Sequence, residues 1–458
     1  MVPNCDQTFE RIPALMPRGA GHQFVLYGDA CSGVSGGLHE RTFAAVNAIV
    51  RRLVPSPDFI VFTGDEIVGL TADSEQLRAQ WQHWLAHEMG WLDRQTIPLW
   101  HATSNHTTYN EMSEAVFRDV LNMPRNGPHG QEGLSYWVRR GDLIVIFVHT
   151  GWSGLGGEGH VETEWLQGVL TQHSDARHKL VVGHHPVYPI NGFSGSYQRE
   201  IGPEHAAAFW AILVEAGVLA YICGHILAFD VQVHRGVLQI CTAGAGTAHR
   251  MPDGAEYLDC VQAVLDGEGL RYQVLDETGL VRERLEWPIR RLPAERWRTL
   301  PAGESRALLT GTLGAGRFAA FRFTGQAAPE GSNLAQTLLS AFSPGALAPL
   351  WIGVRGPKQR LTAIIGGQPG RSPHYWHGPE LEPGARFDLY LLAHADMGAG
   401  GMLYRLGDRD PWSSLVAASA TGPEQLDWPD RWSVGHAQGG STDRRFLGPA
   451  LTASAAIC

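Results

Sequence analysis

Over the first 285 residues, short apolar runs alternate with segments of helical period. Phe24–Tyr27 reads as a strand ending in Gly28-Asp29, and Phe59–Phe62 as a strand ending in Gly64-Asp65. Residues 39–53 and 74–90 carry apolar positions at helical spacing. A third strand, Ile97–Trp100, runs into Ser104-Asn105-His106. Leu134–Val138 and Leu143–Val148 flank Arg140-Gly141-Asp142 as a hairpin. A helix near 161–172 leads to the strand Leu180–Val182 and Gly183-His184-His185-Pro186. A helix at 204–216 leads to the strand Leu219–Ile222 and Gly224-His225. A second hairpin joins Val231–His234 to Leu238–Cys241. Strand–helix alternation of this kind predicts an α/β architecture.

Residues 286–304, rich in Pro, Trp and Arg, read as a connector packed against both neighbours. From 305 the pattern changes. Alternating runs such as Phe318–Phe323, Trp351–Val354, Leu361–Ile365 and Phe387–Leu392 stand between Gly, Pro and Asp turns. They predict an all-β sandwich over 305–458.

Composition narrows the picture. The 458 residues are 44% hydrophobic and 18% charged, enough for packed cores. A formal net charge of −10 makes nucleic acid and anionic membrane surfaces poor partners. An anionic small substrate then requires a local positive element such as a metal. The N-terminus shows no signal peptide, and no apolar stretch is long enough to span a bilayer. Six scattered cysteines, without a CxxC pair, suit free thiols in a reducing cytoplasm, with Cys31 set apart by its position.

The chemistry gathers at strand ends. Asp29, Asp65, Asn105, His184 and His225 follow apolar runs at spacings of 36, 40, 79 and 41 residues. In an open α/β sheet, ligands collect at the carboxyl ends of strands. Carboxylate, amide oxygen and imidazole together suit a divalent metal such as Zn, Mn or Fe. Of the other histidines, His83, His87, His173 and His178 stand on helical or turn stretches and are expected to carry no role.

These tips, Tyr27-Gly28-Asp29, Thr63-Gly64-Asp65, Ser104-Asn105-His106, Val182-Gly183-His184-His185-Pro186 and Cys223-Gly224-His225, resemble the motifs of the calcineurin-like metallophosphoesterases, especially the purple-acid-phosphatase branch. The small-residue run Thr242–Gly246 resembles the family's last strand end. The resemblance covers roughly residues 20–285. It implies a four-layer αββα sandwich and a two-metal site that hydrolyses phosphate esters. By that resemblance Asp65 bridges the metals, Asn105, His184 and His225 complete the second metal site, and Asp29 belongs to the first. His106 stands beside the leaving group, and His185 orients its neighbours or contacts substrate.

The departures fall on one side. Leu227 replaces the family's last histidine, Cys31 stands where Asp-x-His is common, Val68 where purple acid phosphatases carry tyrosine, and Ser104 where glycine is usual. The expectation is an asymmetric site holding one ion firmly and a second weakly or not at all. Cys31 is either a thiolate ligand, a metal-free thiol near the reaction centre, or an inert buried residue. If one cation is missing, His185, His149 or Arg199 supplies the charge.

Two Gly/Ser-rich loops, Gly151–His160 and Tyr188–Glu200, shape the pocket in this reading, with Tyr188, Tyr197 and Arg199 on substrate. The C-terminal part resembles concanavalin-like or laminin-G-like jelly rolls through Phe387–Leu392, Trp432–His436 and Phe446–Gly448. Such domains bind glycans or proteins, and Trp376, Trp412 and Trp428 are candidate sugar platforms or core residues. The expected function is metal-dependent hydrolysis of a phosphomonoester or diester carried by a small-molecule or glycan-bearing anionic substrate, in a chain that is a possible homo-oligomer. The alternatives are a carbohydrate-acting lyase or hydrolase, and a binding protein on a degenerate scaffold.

Overall fold

The computed structural model describes residues 10–457 except 152–160, 194–199, 248–256, 290–293, 307–310, 314–317, 331–333, 344–349, 367–372, 420–421, 424–426, 429–430 and 438–443. Two compact units divide the chain. The first is Met1–Ile190, Gly195–Phe229 and Gln239–Pro288; the second is Asn191–Ser194, Asp230–Leu238 and Ile289–Cys458.

The first unit begins with β1 (Ile12–Pro13), β2 (Gly21–Tyr27), α1 (Leu38–Arg52), β3 (Leu53–Val54), β4 (Phe59–Phe62), α2 (Ser74–His83), β5 (Leu99–His101) and α3 (Glu111–Leu121). It continues through β6 (Tyr136–Arg140), β7 (Leu143–Phe147), α4 (Thr163–Gln172), β8 (His178–Val182), α5 (Pro203–Glu215) and β9 (Ala220–Cys223). Along the chain then follow β10 (Phe229–His234) and β11 (Val237–Thr242), whose residues Asp230–Leu238 count with the second unit, and β12 (Asp259–Asp266), β13 (Gly269–Asp276) and β14 (Val281–Trp287) of the first.

Two six-stranded sheets result, β14-β13-β12-β2-β4-β5 and β10-β11-β9-β8-β7-β6. The register explains why the polar tips meet. Strands β2, β4 and β5 are parallel, with Tyr27, Phe62 and His101 side by side, so Asp29, Asp65 and Asn105 leave the sheet at one edge. Strands β7, β8 and β9 are parallel too, with Phe147, Val182 and Ile222 in line, so Thr150, His184 and His225 leave together.

Near-continuous apolar strands are buried on both faces. Val25, Tyr27, Ile60 and Phe62 pack with Phe43 and Val46 of α1, Trp81 of α2, Trp84 and Phe117 of α3. On the opposite face, Phe24 stacks on Phe59 at 4.9 Å, and Trp100 meets Phe147 of the other sheet at 6.5 Å. Phe209 of α5 packs edge-on against Tyr221 of β9 at 5.2 Å.

The expected helix over 74–90 is two elements. After α2, the turn Trp84–Glu88 widens to π-helical geometry, and Met89 N–H donates to the Trp84 carbonyl at 2.8 Å. Helix α3, passed over in the sequence, is fixed by a reciprocal cap between Asn110 and Ser113.

In the second unit a six-stranded and a seven-stranded antiparallel sheet share one apolar core. Phe321, Phe323, Leu389 and Leu391 come from the first sheet, and Leu339, Ile352, Ala363 and Trp432 from the second. Trp376 belongs to this core, and its indole N–H donates to the Ala399 carbonyl at 2.8 Å, so it is no sugar platform. The side chain of Trp428 lies outside the described residues, and Trp412 carries the Arg405 guanidinium 4.8 Å over its ring. Within 286–304, Trp287 ends β14, while Arg298–Leu300 and Gly303–Arg306 pair as strands with Leu451–Ile457 and Arg431–Val434. Among the described residues, no helix is long and apolar enough to cross a membrane.

Candidate metal centre

Four side chains are presented on strained backbone. Asp29, Cys31, Asp65 and His225 all adopt positive φ, at 62°, 43°, 59° and 73°. Such conformations cost about 1–3 kcal/mol each and persist where the surroundings over-determine them. The glycines before them serve close approach. A Cβ on Gly64 would lie 2.7 Å from Ser104 Cβ and 2.8 Å from His184 Nδ1. One on Gly224 would collide with Asp29 Oδ2.

On one side, four acceptor atoms converge. His184 Nε2 lies 2.9 Å from Asn105 Oδ1, 3.4 Å from Asp65 Oδ1 and 3.2 Å from His225 Nδ1. His225 Nδ1 lies 3.0 Å from Asn105 Oδ1. His184 Nδ1 faces the Thr63 carbonyl oxygen at 2.9 Å, so it carries a proton there and turns Nε2 toward the cluster, where a cation would displace any second proton. One carboxylate oxygen, one amide oxygen and two imidazole nitrogens drawn this close repel one another without a proton or cation between them. The donor set therefore fits a divalent metal ion.

The other side is different. Cys31 Sγ stands 3.9 Å from Asp65 Oδ2 and 3.9 Å from His106 Nδ1, making a second trio around the shared Asp65. Asp29 is in neither trio among the described residues. Its two carboxylate oxygens accept the His225 backbone N–H at 3.0 and 3.2 Å. Leu227 lies two residues beyond His225 and brings no donor atom.

Electrostatics follow this split. Burial alone would raise the Asp65 carboxyl, but His106 and His184 beside it hold it well below the usual range. Burial pushes Asp29 well above, and the Asp65 charge adds to this. Burial, then Asp65 and Asp29, push the Cys31 thiol up. His184 is lowered by burial yet lifted overall to about 9, by Asp65 first and Asp29 next. Burial, with His225 and His184, keeps His185 well below its ordinary value.

His106 is anchored by its backbone N–H on Asp65 Oδ1 at 3.2 Å and by Nδ1 on the Val68 carbonyl at 2.7 Å. That carbonyl fixes the proton on Nδ1 and leaves Nε2 for chemistry. His106 retains 26% side-chain exposure, against 0% for His184, so it can meet a substrate. His185 is fully buried, its ring 4.6 Å from that of His225, and its Nδ1 pairs with Thr150 Oγ1 at 2.9 Å. His149 pairs with Thr103 Oγ1 at 2.7 Å. Tyr188 packs edge-on against Trp210 of α5 at 5.0 Å. Tyr197, Arg199 and most of the loop 151–160 lie outside the described residues.

Three supporting residues escaped the sequence reading. The Thr63 carbonyl sets the His184 tautomer, and Thr150 Oγ1 accepts the backbone N–H groups of His184 and His185 at 3.3 Å each. Ser104, seen only as a departure, accepts the Asp65 backbone N–H at 2.9 Å. Thr150 was legible as one more polar residue after a buried strand.

Residues 23–229 match the model of the calcineurin-like phosphoesterase family. This segment is a calcineurin-like phosphoesterase domain. The chain is also similar to a purple acid phosphatase from yellow lupin (Lupinus luteus) seeds, at 13% identity over 59% of this chain and 54% of that one, with a TM-score of 0.45. It thus spans about half the length of the lupin enzyme. A dimetal phosphatase from Danio rerio is 16% identical over 56% of this chain and 96% of its own, with a TM-score of 0.43. The anchor protein GAP50 of the Plasmodium inner membrane complex is 17% identical over 59% of this chain and 90% of its own, with a TM-score of 0.41. No curated protein matches the chain.

Proposed function

We propose that the phosphoesterase domain hydrolyses a phosphate mono- or diester with one firmly held divalent cation. The observation that carries this reading is the convergence of Asp65, Asn105, His184 and His225 through four acceptor atoms. A cation held by these residues supplies Lewis-acid polarisation of a phosphoryl oxygen and the local positive field that an acidic chain otherwise lacks. His106 does the proton work. With Nδ1 on the Val68 carbonyl, its Nε2 carries a proton to the departing oxygen, and Asp65 Oδ2, 3.9 Å away, stabilises the charged ring. His185, kept neutral by burial, holds the rear of the site rather than supplying charge. Cys31 acts as a protonated thiol beside Asp65 and His106.

In the same reading the first unit is a four-layer αββα sandwich and the second a jelly roll of the concanavalin or laminin-G type. Tyr188 is the candidate for contact with a small anionic substrate among the described residues, with Tyr197 and Arg199 as candidates outside them. The test is a panel of aryl phosphates, phosphodiesters, phosphonates and glycosides assayed with Mn²⁺ or Zn²⁺. Phosphoester turnover lost in Asn105→Ala and His225→Ala supports the reading. Turnover unaffected by either substitution, or confined to glycosides, overturns it.

A further inference from the structure

A second group of metal-type donors lies behind the Cys31 loop. Glu40 stands in the first turn of α1, His83 in the last turn of α2, and Glu88 at the end of the π-helical turn. One ligand atom from each lies within 4.8 Å of the others. His83 Nε2 is 2.9 Å from Glu40 Oε1 and 3.6 Å from Glu88 Oε1. The spacing of 43 and 5 residues along the chain hides this group, and the expectation that His83 is without partners is corrected here.

Glu40 is oriented as a ligand is, and Glu88 is held beside it by the loop after Cys31. Glu40 Oε2 accepts the Gly36 backbone N–H at 2.6 Å, which leaves Oε1 toward His83. Glu88 Oε1 accepts from Ser32 Oγ at 2.7 Å and from the Gly33 N–H at 3.0 Å. Its Oε2 is buried without a hydrogen-bond partner among the described residues, on a side chain only 4% exposed. A buried carboxylate oxygen left unpaired is costly, and a cation is one of the few groups that satisfies it. Neither carboxylate forms an ion pair with lysine or arginine among the described residues. The His87 ring lies 4.9 Å from that of His83, outside the group of three.

We propose that Glu40, His83 and Glu88 form a second divalent-cation site, separate from the catalytic centre, that takes Zn²⁺ or a similar borderline ion. An ion held there ties α1, the end of α2 and the Ser32–Gly36 loop together. That loop directly follows Cys31, so the site is a structural brace for one wall of the catalytic centre. Two carboxylate oxygens and one imidazole nitrogen suit Zn²⁺ better than Ca²⁺ or Mg²⁺, which favour all-oxygen sets.

The test uses the full chain with Cys31→Ser, Asn105→Ala and His225→Ala together, so that neither trio of the catalytic centre is complete. Zn²⁺ is added by equilibrium dialysis and bound metal is quantified, with folding followed by circular dichroism. The expected result is about one Zn²⁺ per chain and a raised melting temperature. Adding His83→Ala weakens that binding by ~10-fold or more, and so does Glu88→Gln, which keeps an oxygen for Ser32 and Gly33. Glu40→Gln, at a partly exposed position, gives the same result if either of the others fails to fold. Absence of bound Zn²⁺ in that background overturns the proposal, and so does binding that survives the substitutions at Glu40, His83 and Glu88. Neither failure bears on phosphoester turnover, which is read in the chain with its catalytic centre intact.

Discussion

Asp29 and Asp65 begin as near copies. Each follows a buried parallel strand and a glycine, and each sits at positive φ, 62° and 59°. Their chemistry is opposite. Asp65 has His106 and His184 for neighbours and is held well below the usual carboxylate range. Burial pushes Asp29 well above that range, although His184 and, among the described residues, the His225 backbone N–H pull it down. A strand-end Gly-Asp therefore does not define a ligand. Its neighbours do: His184 arrives from the facing sheet and His106 from the end of the adjacent strand, and both act on Asp65 more strongly than on Asp29.

The strongest way to break this contrast is to strip each side in turn. Asn105→Ala or His225→Ala is expected to lower phosphoester kcat by about 10²–10³-fold, as loss of one preorganised electrostatic group commonly does. Cys31→Ser is expected to stay within about tenfold of the parent, since burial already keeps that group protonated. Equal losses on both sides, measured by steady-state turnover of an aryl phosphate, would erase the asymmetry.

The converse experiment restores the poorer side. Cys31→His combined with Leu227→His returns two imidazoles to it. Metal analysis should then show about one more ion per chain than the parent carries. An unchanged count would mean that the Asp29 side is closed by its backbone geometry and not by its missing ligands.

Asp259, in β12 beside the Thr242–Gly246 strand end, is a buried carboxyl away from the donor trios. It is fully buried, with Oδ1 on Thr242 and Oδ2 without a partner among the described residues, and burial raises its carboxyl to about 7. Between pH ~4 and ~7 the unfolded chain has released this proton while the folded chain retains it. Stability should therefore fall across that window, by a few kcal/mol at most, and level off above it. Asp259→Asn should remove this slope in urea unfolding followed from pH 4.5 to 7.5. A slope identical to the parent's would place the pH dependence elsewhere.

Ser104→Ala should have the smallest effect. It leaves the Asp65 backbone N–H without its acceptor, at a cost of about 1 kcal/mol in thermal unfolding. No change in melting temperature would show that Ser104 only fills the space beside Gly64.

The polar tips were readable because each follows an apolar run and four of the five stand beside a glycine. That pattern depends only on neighbours in the chain. Helix α3 escaped because its cap, Asn110 with Ser113, looks like a continuation of the polar loop after Asn105. The direction of the Asp29 carboxylate, toward the His225 N–H, depends on a residue 196 positions away and leaves no local trace. Glu40, His83 and Glu88 meet only because the chain leaves α2 through a wider turn. A regular helix over 74–90 would have turned Glu88 elsewhere.

The left-handed residues around the centre have an evolutionary consequence. Glycine would relieve the steric cost at Asp29, Cys31, Asp65 or His225, at a price of unfolded-state freedom smaller than the strain removed. A population selected for heat resistance alone would drift toward glycine or asparagine at these four positions. It would gain robustness by erasing the ligands one at a time, Cys31 first if that side is idle and His225 last if turnover is still under selection.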